Sequence, residues 1–320
     1  MKNLKLTKES ILNYGHIDSD HRIHTLLDRA VTSKIGDKRK VENNQTGSLF
    51  WDLDHYGISS DSKLRKIFEE TEVHKELNIY TMTEACSIEK LGFAFNSKMM
   101  TMSETLEEKS LYANFAFDEM LHLRSLLNFV DFDLQKTGKL NPLLDALVEI
   151  VAEGDQLSTM FILQIALEGM GIAHYTWLAN NCQNPGLKDS FLTIVKDEAF
   201  HHGGGIILFP KTELKAETVE FIVHTLKKIV KIFYSWPHPY WLAIEKGTGS
   251  LTSAQMNAFS DRDGFILKAR TKASKFKELI YSHAPENLIV AIEMHGVFND
   301  LEYAAIEGDY LENISPIIHQ

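Results

Sequence analysis

Two six-residue stretches, Phe117-Asp-Glu-Met-Leu-His122 and Lys196-Asp-Glu-Ala-Phe-His201, decide how the chain is read, because both contain Asp-Glu-x-x-His. On a helix, residues three apart share a face, so the Glu carboxylate and His imidazole of each stretch can reach one metal ion. Upstream, Ser87-Ile-Glu-Lys-Leu-Gly-Phe-Ala-Phe95 aligns with Ala166-Leu-Glu-Gly-Met-Gly-Ile-Ala-His174, which sets Glu89 opposite Glu168. Each of these glutamates precedes its own Glu-x-x-His by 30 residues, from 89 to 119 and from 168 to 198. A single offset of 79 therefore carries Glu89, Glu119 and His122 onto Glu168, Glu198 and His201. One Glu-x-x-His is expected by chance in a chain this long. A triple reproduced at one offset is an internal repeat of two helical hairpins.

The spacing has a geometric reason. At ~1.5 Å per residue, Glu89 lies roughly 15 Å before the end of its predicted helix. After a short loop near Thr101 to Glu104, the chain needs about the same distance to return to Glu119. Two such antiparallel hairpins packed face to face place four Glu and two His at one depth. That donor set suits two hard or borderline divalent cations, each with one His and sharing bridging Glu. Without cations, four carboxylates facing a core repel one another and resist desolvation.

Outward from these segments the pattern is helical. Helices are predicted over about Glu76–Lys98, Thr105–Phe132 and Leu143–Asn181, the last kinked near Gly154, and from near Leu187 past His201 towards Pro210. Further helical patterns cover about Ala216–Trp236, Ser253–Ser282 and Pro285–Ala305. Residues 133–142 read as a loop with Pro142 in the first turn of the next helix, and Asn184-Pro-Gly186 reads as a turn. The first ~60 residues read as short helices and loops, with the basic run Lys34, Lys38, Arg39 and Lys40 as a solvated loop. No alternating run argues for a sheet, so the expected fold is all-α. The whole chain, 1–320, is expected to be one domain: a metal-binding bundle over about 76–209, an N-terminal extension 1–75 and C-terminal helices 210–320.

Composition narrows the class. The 320 residues carry 33 basic against 44 acidic side chains, a net charge of −11, which disfavours nucleic-acid binding. No window approaches the ~20 consecutive apolar residues of a membrane helix, and the charged start does not resemble a secretory signal. Two cysteines, Cys86 and Cys182, cannot build a disulfide framework or a Cys-based zinc site, so a cytoplasmic location is expected.

The quoted residues resemble the ferritin-like superfamily of carboxylate-bridged di-iron proteins, over about residues 76–209. The resemblance implies a ferritin-like four-helix bundle with added N- and C-terminal helices. It implies that Glu89, Glu119 and His122 serve one metal while Glu168, Glu198 and His201 serve the other, with Glu119 and Glu198 bridging. It further implies crossed hydrogen bonds that fix the ligand rings, Asp118 to His201 and Asp197 to His122. Two Fe ions, or an Mn/Fe pair, are the expected cofactors.

Of the activities found in that superfamily, an O2-dependent oxidase or oxygenase acting on a small organic substrate fits best. Hydroxylation, N-oxygenation and desaturation all belong to that class. It would draw on an external electron donor, with no nucleic acid and no membrane as partners and a homodimer as the base-rate assembly. The alternatives are an iron-binding or iron-oxidising protein and a ribonucleotide-reductase-small-subunit-like protein. Some 75 residues before the bundle and 110 after it exceed what a storage subunit needs. The position of the radical tyrosine in reductase subunits is Leu126 here, with Gly205 as its repeat equivalent. The additional histidine of arylamine N-oxygenases falls at Ile194.

Several neighbours invite over-reading. Glu84 is a competitor to Glu89, but the repeat selects Glu89. His202 lies roughly 100° around the helix from His201, and His174 has Phe95 as its counterpart; both read more simply as packing or surface histidines. Cys86 and Tyr112 lie on the metal side of their helices, yet core packing is the plainer role. Gly203-Gly-Gly205 is compatible with close backbone approach, a pocket or a kink.

Overall fold

The computed structural model describes residues 72–130, 142–234 and 262–299 and part of 49–69. Helix α1 is Val73–Met102 and α2 is Leu106–Leu127. Thr105 starts α2 with a capping box: its hydroxyl accepts the Glu108 N–H and the Glu108 carboxylate accepts the Thr105 N–H. Helix α3 is Pro142–Glu153, beginning on the proline whose missing N–H is no loss at that position. Helix α4 is Gln156–Asn181 and α5 is Pro185–Leu208, the latter capped by the Asn184 side chain. Then follow α6 (Ala216–Tyr234), α7 (Arg262–His283) and α8 (Glu286–Met294). The described residues contain no strand, and the fold is all-helical.

The predicted kink near Gly154 is a full break between α3 and α4. Asp155 leaves the helix at ψ 176°, and its carboxylate accepts the Ser158 N–H at 2.7 Å and the Thr218 hydroxyl of α6. From α1, the Lys98 ammonium donates to Val151 O at 2.7 Å and to Gly154 O, satisfying carbonyls at the end of α3. A Cβ at Gly154 would lie 2.5 Å from Thr159 Oγ1, so no larger residue fits the break. The last helix was expected to reach Ala305 but stops at Met294. Gly296 takes φ 58°, with Val297 N bonded to Ile292 O and Gly296 N to Glu293 O, a Schellman stop. Helix α7 was expected from Ser253; residues 253–261 lie outside the described part. So do 1–48 with the basic run, the loop over 131–141, and 300–320.

Within α4 the stretch Met160–Leu167 is a π-helix, with Glu168 N bonded to Leu163 O five residues back. Periodicity did not predict it. Such segments are rare and tend to occur beside functional residues.

Hairpins α1–α2 and α4–α5 pack against each other through α2 and α5. On one side of the glutamate level, Phe161, Ile162 and Ile165 of the π segment pack with Leu226 and Ile229 of α6, Phe276 of α7 and Leu288 of α8. On the other, Trp51, Phe129, Tyr175, Leu178 and Phe191 form a second apolar cluster. Asn78 Oδ1 holds the entering chain by accepting the Phe50 and Trp51 N–H groups. Each large apolar side chain buried this way contributes about 1.5–3 kcal/mol. Contrary to the sequence reading, α4 is long and apolar enough to cross a membrane. Its apolar stretch Met160–Ala166 is buried by the neighbouring helices, and Glu168 follows directly.

Replacing the α4 cap, Asp155→Ala, should lower stability by about 1–2 kcal/mol, because Ser158 N and the buried Thr218 hydroxyl both lose their acceptor. Urea unfolding measures it, and an unchanged midpoint would show that the cap carries no weight.

Candidate metal centre

The two apolar clusters leave a polar layer between them. Glu89 from α1, Glu119 and His122 from α2, and Glu198 and His201 from α5 are all buried there. Glu168 joins them from α4; the residue is partly exposed, but its Oε2 is shut off from solvent. Ligand atoms of Glu89, Glu119, His122 and Glu198 lie within 4.8 Å of one another, as do those of Glu119, Glu168 and His201. All six repeat residues thus converge, and the two groups could each hold a metal ion. Glu119 belongs to both groups, whereas Glu198 sits with the first and not with Glu168 and His201. Among the described residues, neither group includes Glu84, His174 or His202. Glu84 is buried elsewhere on α1, and the His202 ring reaches Gln164 O at 3.4 Å.

Both imidazoles face the carboxylates with Nδ1. His122 Nδ1 is 3.1 Å from Glu89 Oε2 and 3.9 Å from Glu119 Oε2; His201 Nδ1 is 3.3 Å from Glu119 Oε1. The far nitrogens cross between hairpins, His122 Nε2 to Asp197 Oδ2 at 2.9 Å and His201 Nε2 to Asp118 Oδ2 at 3.4 Å. Such crossed bonds fix ring orientation and leave Nδ1 for the centre.

The two halves are not equally satisfied. In the first, Glu89 accepts from the Tyr175 hydroxyl as well as facing His122. In the second, Glu168 Oε2 is buried with no hydrogen-bond partner, and His201 Nδ1 faces Glu119 Oε1 at 3.3 Å without a well-aligned hydrogen bond. Buried polar atoms are rarely left bare, and an unpartnered carboxylate oxygen near an imidazole nitrogen is what a cation would satisfy.

Electrostatics point the same way. Burial, and then repulsion from Glu198, raise the Glu168 pKa well above the carboxylate range; burial and the charges of Glu119 and Glu89 do the same to Glu198. Burial pushes Glu89 up to about 7 against the pull of His122. Burial would also raise Glu119, but hydrogen bonds from both imidazoles outweigh it and hold it down at about 2. Burial disfavours the charged imidazoles, yet Asp197, Glu119 and Glu89 lift His122 well above its usual value, and Asp118 and Glu119 lift His201 to about 11. The metal-free centre thus balances its charge with protons, on the very groups a metal would use.

Three supporting residues escaped the sequence reading. Asn96 donates to Glu119 Oε1 at 3.4 Å, and Tyr175 donates to Glu89 Oε1. They are 79 positions apart and seven residues after Glu89 and Glu168 respectively, so the repeat offset, extended two turns along the helix, would have found them. Gln164, inside the π segment and fully buried, accepts from the Tyr112 hydroxyl at 3.0 Å and donates to His201 O at 2.9 Å. The Gly203–Gly205 run serves this close approach: a Cβ at Gly205 would lie 2.9 Å from Gln164 Cγ, and one at Gly204 would lie 3.0 Å from Phe115 Cζ. Helix α5 continues through the run to Leu208.

No protein-family model, curated protein or solved structure matches the chain.

The repeated glycines Gly92 and Gly171 make a sharp test. A Cβ at Gly92 would lie 2.4 Å from Glu119 Oε2, whereas one at Gly171 would meet nothing within 4 Å. Gly92→Ala should therefore displace Glu119 and weaken metal binding by about 10- to 100-fold, while Gly171→Ala leaves it unchanged. Equal affinities by competitive chelator titration would show that Glu119 is not a ligand.

Proposed function

We propose that the chain is a ferritin-like, carboxylate-bridged dinuclear metalloprotein that uses O2 to oxidise a small organic substrate. The observation that carries the reading is the convergence of the six repeat residues, with Glu119 shared by both groups and an unpartnered buried oxygen on Glu168. Two iron ions, or an iron and a manganese, would be held by Glu89, Glu119, His122, Glu168, Glu198 and His201. Four carboxylates neutralise the four positive charges of two divalent cations and favour higher oxidation states. When bound, the metal pair supplies the one- and two-electron chemistry that activates O2.

The protein's own residues do the rest. Asp118 and Asp197 hold the imidazole tautomers that present Nδ1. Asn96 and Tyr175 hold Glu119 and Glu89 by hydrogen bonds. The apolar clusters above and below exclude water from the layer. Helices α6, α7 and α8, which a bare iron-handling bundle does not need, cover the side occupied by the π segment. That extra shell favours an organic substrate over iron storage. No flavin, haem or iron–sulfur motif is legible in the sequence, so electrons would come from an external donor.

Metal uptake should release protons. His122 and His201 are held well above the usual imidazole value, His201 at about 11, and Glu168 and Glu198 well above the usual carboxylate value, so in the metal-free protein all four keep their protons to higher pH than free side chains do. Ligation needs the deprotonated forms, so apparent affinity should rise with pH, and calorimetry in buffers of different ionisation enthalpy should count the protons released. A pH-independent affinity would place the metal elsewhere.

The class itself is tested by anaerobic loading with Fe(II), metal analysis, and rapid mixing with O2. Two irons per chain and a transient visible absorption band support an oxidase or oxygenase. Rapid oxidation to a mineral core would support iron handling, and zinc without redox response would support a structural site. Glu168→Ala should halve or abolish loading; full loading would remove Glu168 from the centre.

A further inference from the structure

Tyr175 links the polar layer to a chain of rings that reaches the surface. Its hydroxyl donates to Glu89, while its ring stacks on Phe191 at 5.7 Å between centroids. Phe191 meets Trp51 at 5.9 Å, and Trp51 is wholly buried with its indole N–H donating to Leu178 O. Trp51 stacks on His55 at 5.4 Å, and His55 stacks on Trp177 at 3.9 Å. Trp177 is 40% exposed, so the chain ends in solvent. A second, shorter branch runs from Tyr175 through His174 to the same Trp177, at 5.6 and 6.3 Å.

Stacked rings are usually core packing, so the order of residue types decides. Phenol and indole are among the easiest side chains to oxidise by one electron; phenylalanine and histidine are far harder and serve here only to bridge. The easily oxidised rings lie where a relay needs them: one hydrogen-bonded to a site carboxylate, one midway, one at the surface. The rings on the other side of the layer, Tyr112, Phe115 and Phe200, contact one another similarly but hold no oxidisable group beyond Tyr112. Tyr112 donates its hydroxyl to Gln164 and to no candidate ligand.

We propose that Tyr175, Trp51 and Trp177 form a one-electron relay between the buried carboxylate–histidine layer and the surface. The role rests on the dinuclear reading above, which supplies the oxidant as an O2-oxidised metal pair. Tyr175 gives that pair one electron; its O–H bond breaks and the proton crosses the hydrogen bond to Glu89. An indole then returns an electron to the phenoxyl oxygen, which takes its proton back from Glu89. The hole moves to Trp177, where the indole either loses its N–H proton to water or is reduced by a soluble one-electron donor such as ascorbate. In one direction the relay feeds electrons to the centre; in the absence of substrate it drains an oxidant that would damage the core.

Two measurements test it. In the first, Fe(II)-loaded protein is cycled with O2 without substrate or ascorbate, in the presence of catalase, and oxidised residues are mapped by peptide mass spectrometry. Trp177 should be oxidised in the parent protein and in Tyr112→Phe, and should fall to the metal-free level in Tyr175→Phe. Trp177 oxidation in Tyr175→Phe equal to the parent would overturn the relay, as would marks that merely follow exposure, with Met294 at 80% as the monitor.

The second needs no metal. Ruthenium(III) tris-bipyridine, generated by a flash from the ruthenium(II) complex with persulfate as the sacrificial electron acceptor in solution with the metal-free protein, should oxidise Trp177 and then yield phenoxyl absorption. That signal should fall in Tyr175→Phe to the background of the other nine tyrosines and fall strongly in Trp177→Phe, a surface change that leaves the Tyr175–Glu89 bond in place. Phenoxyl yield unchanged by both substitutions would overturn the relay. Failure to bind iron alongside a normal flash response would instead overturn the dinuclear reading alone.

Discussion

The repulsion among Glu89, Glu119, Glu168 and Glu198, buried together in one layer, is the constraint on which the rest of the structure depends. Taking a single ionised carboxylate out of water costs several kcal/mol, and four in one place compound that cost unless positive charge enters with them. The chain offers two imidazoles, whose Nδ1 atoms turn inward, and beyond them only protons. Protons on these groups offset part of that charge, yet Glu168 Oε2 is left without a hydrogen-bond partner. Two divalent cations would meet both the charge and the unpartnered oxygen at once.

The duplication solves the problem of delivering ligands to one depth, and its departures from symmetry divide the labour. Gly92 gives the Glu119 carboxylate room against α1, while its counterpart Gly171 faces open space, and Glu198 groups with Glu89 and His122. Asn96 and Tyr175 occupy matching positions but hold different carboxylates with different chemistry. The Asn96 amide meets its carboxylate only as a hydrogen-bond donor, whereas the Tyr175 phenol donates and can also be oxidised. Phe95 is buried in the core, while its counterpart His174 bridges Tyr175 to Trp177. Glu89 of the first half thus has both His122 and Tyr175 as partners, whereas Glu168 of the second keeps a buried oxygen without one.

How much of this was legible depended on what kind of physics set each feature. The six converging residues were readable because two antiparallel helices impose a fixed spacing, and a repeat exposes that spacing twice. The ends of α2, α3 and α5 were readable from Thr105, Pro142 and Asn184, whose capping chemistry is local. The early stop of α8 was also written locally, in Gly296, but a single glycine after an apolar run is easily passed over. Tyr175 and Asn96 were hidden because the repeat preserves their positions and not their types. The resemblance placed Glu198 on the second metal as a bridging residue, whereas its ligand atom groups with Glu89, Glu119 and His122, a difference between the halves that equal sequence spacing does not encode. The π segment left no trace, since Met160-Phe-Ile-Leu-Gln-Ile-Ala-Leu167 reads as any buried apolar helix.

That π segment is where the backbone itself breaks the symmetry. Its counterpart on α1, residues 81–88, lies inside a regular α-helix. The difference has a local cause in Gln164, which must reach Tyr112 on α2 and His201 O on α5 while its own carbonyl receives the His202 ring. Tethered on three sides, this turn cannot rotate freely, and the wider hydrogen-bond register takes up the mismatch before Glu168. Glu89, following an undisturbed turn, is fully buried and bonded; Glu168, following the widened one, has a bare oxygen. The inequality between the two halves therefore originates in the backbone one turn upstream of the ligands.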